Sequence, residues 1–205
     1  MKHVIIGAGP AGITAAEVLR KADPDSEIRI IGNEPEPPYS RMAIPYCLEG
    51  KVDESGTHLR PSSHYEDLNI DLDRQNAVAL DPEKQSIRLE DGSTLPYDRL
   101  LIATGSSPFT PPIPGVAESS HVTPCWTLEH ARRIAERAEP GSSVLLIGAG
   151  FIGSILLESL VKRGVKLTVV ETGNRMVPRM LDEKAGGLLA QWCIDRGVHV
   201  LTSVS

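Results

Sequence analysis

The chain has 205 residues, of which 40% are hydrophobic and 23% are charged, as is usual for one large globular domain or two small ones. Its formal net charge of −6, without a basic cluster, argues against a nucleic acid partner. No apolar run is long enough to cross a membrane, and Lys2 leads directly into an apolar strand. We therefore expect no signal peptide, no membrane contact and a cytoplasmic location.

The first stretch of the chain predicts a strand, a glycine-rich turn and a helix. The apolar residues 3–6 run into a turn formed by Gly7, Ala8, Gly9, Pro10, Ala11 and Gly12. Gly7 lets the strand turn sharply, Gly9 lets a pyrophosphate approach the backbone, and Gly12 lets the helix pack closely on the strand. The helix directs its free N–H groups and its positive dipole end at the phosphate. This pattern predicts a dinucleotide site.

A second strand, over residues 27–31, is followed by Glu34. At the end of this strand a carboxylate can accept hydrogen bonds from an adenosine ribose, and the alternative is a solvated loop acid near Glu36. The proline-rich residues 35–45 are predicted to be irregular and to pass over the bound nucleotide. Arg41 in this loop is a candidate contact for phosphate or flavin, and the alternative is a surface arginine without a ligand.

The middle of the chain predicts a strand over 76–81 and a hairpin over 86–95 with an Asp-Gly turn. Residues 100–103 follow as a strand that we predict to be buried on both sides. It ends in Thr104 and Gly105, small residues that suit a close approach to a ligand. Residues 53–72 predict a loop and a short helix without chemistry. The prolines of residues 106–114 mark a domain boundary near residue 112.

The second half of the chain repeats the opening. Thr127 predicts a helix cap, and a strand over 144–147 leads into a second turn formed by Gly148, Ala149, Gly150, Phe151, Ile152 and Gly153. A helix toward Arg163 and a strand over 165–170 deliver Glu171, at close to the roughly twenty residues that bring an acid to the ribose. A helix over 182–196 and a strand over 198–201 follow. Two such patterns predict a protein that holds two dinucleotides.

Cysteine and histidine spacing predicts neither a metal site nor a redox pair. The three cysteines, Cys47, Cys125 and Cys193, lie far apart and form no C-x-x-C motif, so we interpret them as separate reduced thiols. The six histidines show no metal-ligand spacing. No catalytic side chain is predicted.

The order of these parts resembles the pyridine nucleotide–disulfide oxidoreductase superfamily of FAD-dependent enzymes. The resemblance rests on residues 5–12, 97–105, 113–115 and 148–153 with Glu171. Within the superfamily, the Pro-Tyr-Ser-Arg of residues 38–41 resembles the branch of ferredoxin, rubredoxin and nitrite reductase flavoproteins. The expected fold is α/β, with two Rossmann-like units of parallel sheet, a small antiparallel hairpin and an incomplete second unit. Residues 1–112 would bind FAD, and residues 113–205 would form a truncated NAD(P)H-binding domain.

The resemblance also implies which residues contact each cofactor. Glu34 would hold the FAD ribose, the 103–105 segment would lie beside the flavin nucleotide, and the backbone of residues 77–78 would meet the adenine. The predicted contacts at the first site are Gly7, Gly9, Pro10, Ala11, Gly12, Glu34, Arg41, Ala77, Val78, Ala103, Thr104 and Gly105. Those at the second site are Gly148, Gly150, Phe151, Ile152, Gly153 and Glu171. A homodimer is implied for the full-length protein.

Several positions depart from the family pattern. The chain lacks the redox cysteine pair, and Met42 stands near the position of the single redox cysteine of the peroxide- and coenzyme A-disulfide-reducing branch, with Cys47 as an alternative thiol. Ile155 stands where the family often has a glutamate, so either NAD binding is unusual or Glu158 substitutes. The Ala-x-Gly-Asp-type motif is missing from these residues. We therefore expect an N-terminal portion, the alternative being a naturally short protein.

The function expected from these features is flavin-dependent oxidation of NADH. The flavin would take a hydride from NADH and pass electrons to a small electron-carrier protein, a metal centre or a quinone-like molecule. Glu171 favours NADH because a carboxylate repels a 2′-phosphate, although Arg175 could reach such a phosphate. The alternatives are a non-catalytic dinucleotide-binding module or fragment and a flavin monooxygenase.

Overall fold

The computed structural model describes residues Met1–Val204 as an α/β protein. Its strands are β1 (Lys2–Ile6), β2 (Glu27–Ile31), β3 (Asp71–Asp73), β4 (Ala77–Asp81), β5 (Ser86–Leu89), β6 (Thr94–Pro96), β7 (Arg99–Ile102), β8 (Ser143–Ile147), β9 (Lys166–Val170) and β10 (His199–Leu201). Its helices are α1 (Pro10–Ala22), α2 (Ile44–Leu48), α3 (His64–Asp67), α4 (Leu128–Arg137), α5 (Phe151–Lys162) and α6 (Glu183–Ile194), with two 3₁₀ turns at Arg41–Ala43 and Ser55–Thr57.

The chain divides into two compact units, which do not follow the sequence linearly. The first comprises Met1–Ser40 and His58–Ser107, and the second comprises Arg41–Thr57 and the chain from Pro108 on. Residues 41–57, which the predicted division assigns to the first domain, group with the second unit because α2 packs against α4 and α5.

The first unit contains a parallel sheet with the strand order β3-β2-β1-β7. Side chains alternate between its two faces, so Ile5 and Ile30 pack with Tyr65 and α1 on one side. Val4 and Ile31 point the other way and pack against the antiparallel sheet β4-β5-β6. The carboxyl ends of the parallel strands therefore share one edge, at which the first glycine turn begins.

The second unit contains a parallel sheet with the order β10-β9-β8. Leu167 and Val169 are buried on one face of β9. The alternate residues Leu145 and Ile147 of β8 are 58% and 41% exposed on the other face. The second glycine turn follows β8 at the carboxyl edge of this sheet.

The predicted α/β class, with parallel sheets and a small antiparallel element, is confirmed. The prediction that residues 100–103 are buried on both sides is wrong, since Leu101 and Ile102 are 39% and 59% exposed. The reason is that β7 ends the sheet order and, within Met1–Val204, pairs with β1 alone. Helix α2 was not predicted, because Pro45 suggested a loop although proline is tolerated in a first helical turn.

Residues Met1–Val204 contain neither a membrane-spanning helix nor a metal-binding cluster. None of the helices there combines the length and apolarity that a membrane crossing needs. No group of three or more His, Cys, Asp or Glu side chains in that part of the chain is arranged to hold a metal ion.

Candidate functional site: two glycine turns

The first glycine turn brings β1, β7 and α1 together at distances that only glycine allows. Gly7 has a φ of +117°, and a Cβ there would collide with the carbonyl oxygen of Ala103. A Cβ on Gly12 would collide with the carbonyl oxygen of Gly7. The end of β7 is held at this turn by the Ala103 N–H, which donates to the Ile6 carbonyl oxygen at 2.8 Å. These two glycines are therefore required by packing inside the protein.

Gly9 differs from its neighbours because the space beside it is open. It is the N-cap of α1, and among residues Met1–Val204 only its own chain neighbours could come within 4 Å of the position that its Cβ would take. Pro10 and Ala11 begin the helix. The first N–H groups of a helix have no intrahelical acceptor, so an anion can bind at this end with a favourable dipole interaction. The space beside Gly9 and the free helix N-terminus together form an open cradle that could accept an anion such as a pyrophosphate.

Glu34 lies just beyond β2, close to the same turn. The two segments are in contact at Gly32, where a Cβ would lie 2.6 Å from the Cβ of Ala8. The Glu34 carboxylate accepts a hydrogen bond from the buried Tyr39 hydroxyl, and its backbone carbonyl accepts one from Arg74 at 2.7 Å. Neither Tyr39 nor Arg74 was predicted, since nothing in their spacing marks them as partners of Glu34.

The remaining predicted contacts of the first unit lie in two places. Thr104 and Gly105 are exposed beyond β7, and Gly105 has a φ of +69°. Ala77 and Val78 lie in β4, where Ala77 packs against the cluster that contains Val4, while Val78 is half-exposed. Their contacts with a nucleotide stay predictions.

Arg41 belongs to the second unit and is held by Trp126. Its Nη1 donates to the Trp126 carbonyl oxygen at 2.8 Å, and its guanidinium lies over the indole ring at 5.0 Å from the centroid. A cation over an aromatic face is a favourable electrostatic contact. The predicted contact of Arg41 with phosphate or flavin is not tested by this arrangement and stays a prediction.

The second glycine turn repeats the geometry of the first. Gly148 has a φ of +94°, and its N–H donates to the Val170 carbonyl oxygen at 2.8 Å. A Cβ on Gly153 would collide with the Gly148 carbonyl oxygen. At Gly150, the N-cap of α5, no described residue other than the two chain neighbours has an atom within 4 Å of the Cβ position. Phe151 and Ile152, the first residues of α5, are half-exposed. The turn thus offers a second open cradle at a helix N-terminus.

Glu171 follows β9 and connects the turn to the next loop. Its Oε2 accepts from the Ala149 N–H at 2.9 Å, and its Oε1 accepts from the Gly173 N–H at 2.8 Å. Partial burial raises the pKa of this carboxyl, but the hydrogen bonds from Gly173, Ala149 and Thr172 outweigh it and hold the pKa below its ordinary value. The carboxylate is therefore ionised at neutral pH and acts as an acceptor beside the cradle.

The three cysteines are free and do not show the properties of reactive thiols. Burial raises the pKa of Cys47, and the carboxylates of Glu54 and Asp53 raise it further. Burial raises the pKa of Cys125 to about 11. A thiol reacts as its thiolate, and a raised pKa lowers the thiolate fraction of both groups at neutral pH.

Ile155, which departs from the family pattern, and Glu158, its suggested substitute, both lie on α5. Glu158 forms an ion pair with Lys162 one turn further along the helix. Its suggested role as a substitute for a glutamate at position 155 stays a prediction.

Comparisons with known proteins match the whole chain. The family described as pyridine nucleotide-disulphide oxidoreductase matches residues 1–205. An NADH oxidase of Methanocaldococcus jannaschii is 34% identical over 99% of this chain and 47% of its own length. Rhodocoxin reductase of Rhodococcus erythropolis is 33% identical over 99% of this chain and 48% of its own.

A solved structure also matches this chain over its whole length. The structure of a covalent putidaredoxin reductase–putidaredoxin complex matches with a TM-score of 0.93 and 27% identity, over 100% of this chain and 50% of the matched one. The chain spans about half the length of the curated relatives that it matches.

Proposed function

The chain belongs to the pyridine nucleotide-disulphide oxidoreductase family, and we propose that its two glycine turns hold FAD and NADH in a flavin-dependent oxidoreductase. Residues 1–112 are assigned to FAD and residues 113–205 to NADH. The observation that carries this proposal is the repeated cradle, in which an open glycine caps a helix, a packed glycine is the third residue of that helix, and a carboxylate follows the next strand.

The residues of both sites fit a dinucleotide. Gly9 and Gly150 leave room for a pyrophosphate at the N-termini of α1 and α5. Glu34 and Glu171 supply carboxylates beyond β2 and β9, where ribose hydroxyls would donate hydrogen bonds to them. The other predicted contacts, from Ala77 to Gly105 and at Phe151 and Ile152, would complete the two sites.

The ionised carboxylate of Glu171 supports NADH rather than NADPH. Backbone N–H groups from Ala149 and Gly173 orient this carboxylate toward the turn and, against its partial burial, hold its pKa low. A carboxylate accepts hydrogen bonds from the ribose hydroxyls of NADH and repels the 2′-phosphate of NADPH. We therefore propose NADH as the preferred reductant.

The chain's own residues would bind and orient the cofactors rather than transfer protons. FAD, when bound, supplies a group that accepts a hydride from NADH and passes electrons on singly or in pairs. The glycine turns and their helices would fix the pyrophosphates, and the carboxylates would fix the adenosine ends. No side chain of this chain is assigned the role of a catalytic acid or base.

We propose a small electron-carrier protein as the acceptor. Rhodocoxin reductase is named for such a carrier, and the putidaredoxin reductase structure contains one. Burial raises the pKa of both Cys47 and Cys125, so neither thiol is activated. This supports electron transfer that does not pass through a redox-active disulfide of this chain. The homodimer of the full-length protein stays a prediction.

An anaerobic titration tests the proposal. The chain is purified, its visible flavin absorbance is recorded, and NADH is added under argon. Bleaching of a flavin spectrum is the expected result, because hydride transfer reduces the flavin. A flavin spectrum that NADH leaves unchanged would contradict the reductase function and support a non-catalytic binding module. Absence of bound flavin, even after reconstitution with FAD, would contradict FAD binding by this chain.

A further inference from the structure

Arg175 lies four residues beyond Glu171, and each of its three guanidinium nitrogens donates to an acceptor in its own loop. Its Nε donates to the Leu181 carbonyl oxygen at 2.9 Å, its Nη1 to Asn174 Oδ1 at 2.7 Å, and its Nη2 to the Pro178 carbonyl oxygen at 3.0 Å. Each nitrogen of the guanidinium thus has an acceptor between residues 174 and 181. These three hydrogen bonds connect the beginning of the loop to its end.

The aliphatic part of Arg175 also fixes the loop to α6. A Cβ on Gly186 of that helix would lie 3.0 Å from the Arg175 Cβ and 2.8 Å from the Met176 carbonyl oxygen. The neighbouring Met176 is fully buried. Arg175 therefore lies between the loop and the helix that follows it, and the contact is too close for any residue but glycine at position 186.

The loop that Arg175 closes is bonded directly to the second glycine turn. The Val177 N–H donates to the Ala149 carbonyl oxygen at 2.8 Å, and the Ala149 N–H donates to Glu171 at 2.9 Å. Glu171 in turn accepts from the Gly173 N–H at the start of the loop. The turn, the carboxylate and residues 172–182 therefore form one hydrogen-bonded assembly, which Arg175 holds from inside.

We propose that Arg175 is a positioning residue for the second dinucleotide site and does not bind a 2′-phosphate. The inference rests on the proposed NADH site and adds the residue that holds it in shape. Moving the guanidinium out of the loop toward a phosphate would break three hydrogen bonds between residues 174 and 181, a segment that is itself bonded to the turn. Arg175 thus sets the affinity for NADH and NADPH alike, and the choice between them is made by Glu171.

Dissociation constants of two matched variants test this role. Arg175→Gln and Arg179→Gln each remove one positive charge from the same loop, but Arg179 is exposed. Because the loop loses three hydrogen bonds, we expect at least about a tenfold weaker NADH affinity in Arg175→Gln. The Arg179→Gln variant should stay within about twofold of wild type, and the NADPH/NADH ratio in Arg175→Gln should also change less than about twofold.

Amide hydrogen exchange without any cofactor gives a second, independent measurement. In Arg175→Gln we expect at least about tenfold faster exchange at the Val177 and Ala149 N–H groups, with unchanged exchange in β9. Arg175→Lys is a milder change, because it keeps the positive charge and removes only the planar set of guanidinium donors. If the glutamine variant folds poorly, the lysine variant should show the same exchange pattern.

The outcomes separate the inference from the proposed function. If wild type does not bind NADH, the proposed site fails, while the exchange data still decide whether Arg175 holds the loop. Unchanged exchange at Val177 and Ala149 would overturn the inference. It would equally be overturned by a loss of affinity confined to NADPH, since that is the behaviour of a phosphate ligand.

Discussion

At the scale of single residues, each turn pairs a glycine required by packing with a glycine beside open space. Gly12 and Gly153 face a backbone carbonyl oxygen at a distance that excludes a Cβ, whereas beside Gly9 and Gly150 the described part of the chain leaves 4 Å of open space apart from their chain neighbours. Both kinds look the same in sequence. Their physical roles differ, because the first kind allows the helix to pack against a backbone carbonyl group and the second leaves room for a ligand.

Alanine at these positions should separate stability from binding. We expect Gly12→Ala to lower the free energy of unfolding by on the order of 3 kcal/mol, because a methyl group would be forced against the Gly7 carbonyl. Gly9→Ala should cost less than about 1 kcal/mol at this N-cap but weaken FAD binding at least about tenfold. Urea unfolding and FAD titration measure the two effects. Equal destabilisation by both substitutions would contradict the distinction.

The Glu171 carboxyl predicts a pH dependence of stability. Partial burial raises its pKa, but the hydrogen bonds from Gly173 and Ala149 together lower the pKa by more than burial raises it. The net pKa therefore lies below the ordinary 4.5. A group with a depressed folded pKa stabilises the fold above its unfolded pKa, and this contribution is lost as the pH falls through the folded pKa.

Glu171→Gln should therefore be less stable than wild type by on the order of 1 kcal/mol at neutral pH. The difference should stay constant down to about pH 5 and shrink below it, toward the lowered folded pKa. Urea unfolding at a series of pH values measures this difference, and the exposed Glu136→Gln provides the control. A difference that grows as the pH falls would show that the carboxylate is not held in its ionised form.

At the scale of secondary structure elements, Arg163 connects three helices of the second unit. It follows α5, and its guanidinium donates to the carbonyl oxygens of Leu48 at the end of α2 and of Ala135 and Ala138 near the end of α4. Carbonyl groups at helix ends lack intrahelical donors. One side chain thus satisfies three of them and explains why the short α2 is ordered within this unit.

Replacing Arg163 by methionine keeps an unbranched side chain about as long as the aliphatic part of arginine and removes the hydrogen-bond donors. We expect a loss of about 3 kcal/mol in the free energy of unfolding, because three partly buried carbonyl groups lose their partner. The control is Arg133→Met, which removes an exposed pair with Glu129 worth about 0.5 kcal/mol at most. Equal effects of the two substitutions, measured by urea unfolding, would refute the bridging role.

At the scale of the whole molecule, an apolar sheet face in the second unit is left without cover in the residues described. Leu145 and Ile147 of β8 and Leu201 of β10 are exposed, while the alternate residues Leu167 and Val169 of β9 are buried. Exposed apolar patches favour association. An edge strand adds unpaired backbone groups, and β8 ends the strand order within Met1–Val204.

We expect the chain to self-associate as its concentration rises. The double substitution Leu145→Lys with Ile147→Thr should weaken this association about tenfold or more, because it removes the apolar centre of the face. Sedimentation velocity over a concentration series measures the effect. Leu188→Lys, at an equally exposed leucine of α6, should leave it unchanged. If both variants associate like wild type, this face is not the contact.

The sequence by itself determined the α/β class, the two strand–turn–helix repeats and the glycines of each turn. These features depend on neighbours along the chain, since strand alternation, turn conformation and helix capping are local. The partners of the key side chains were decided only by the tertiary structure. Tyr39 bonds to Glu34, Arg175 bonds to its own loop, and α2 joins the second unit. Each of these contacts depends on which segments the folded chain brings together. The exposure of β7 likewise depends on its place at the end of the strand order, which the sequence does not reveal.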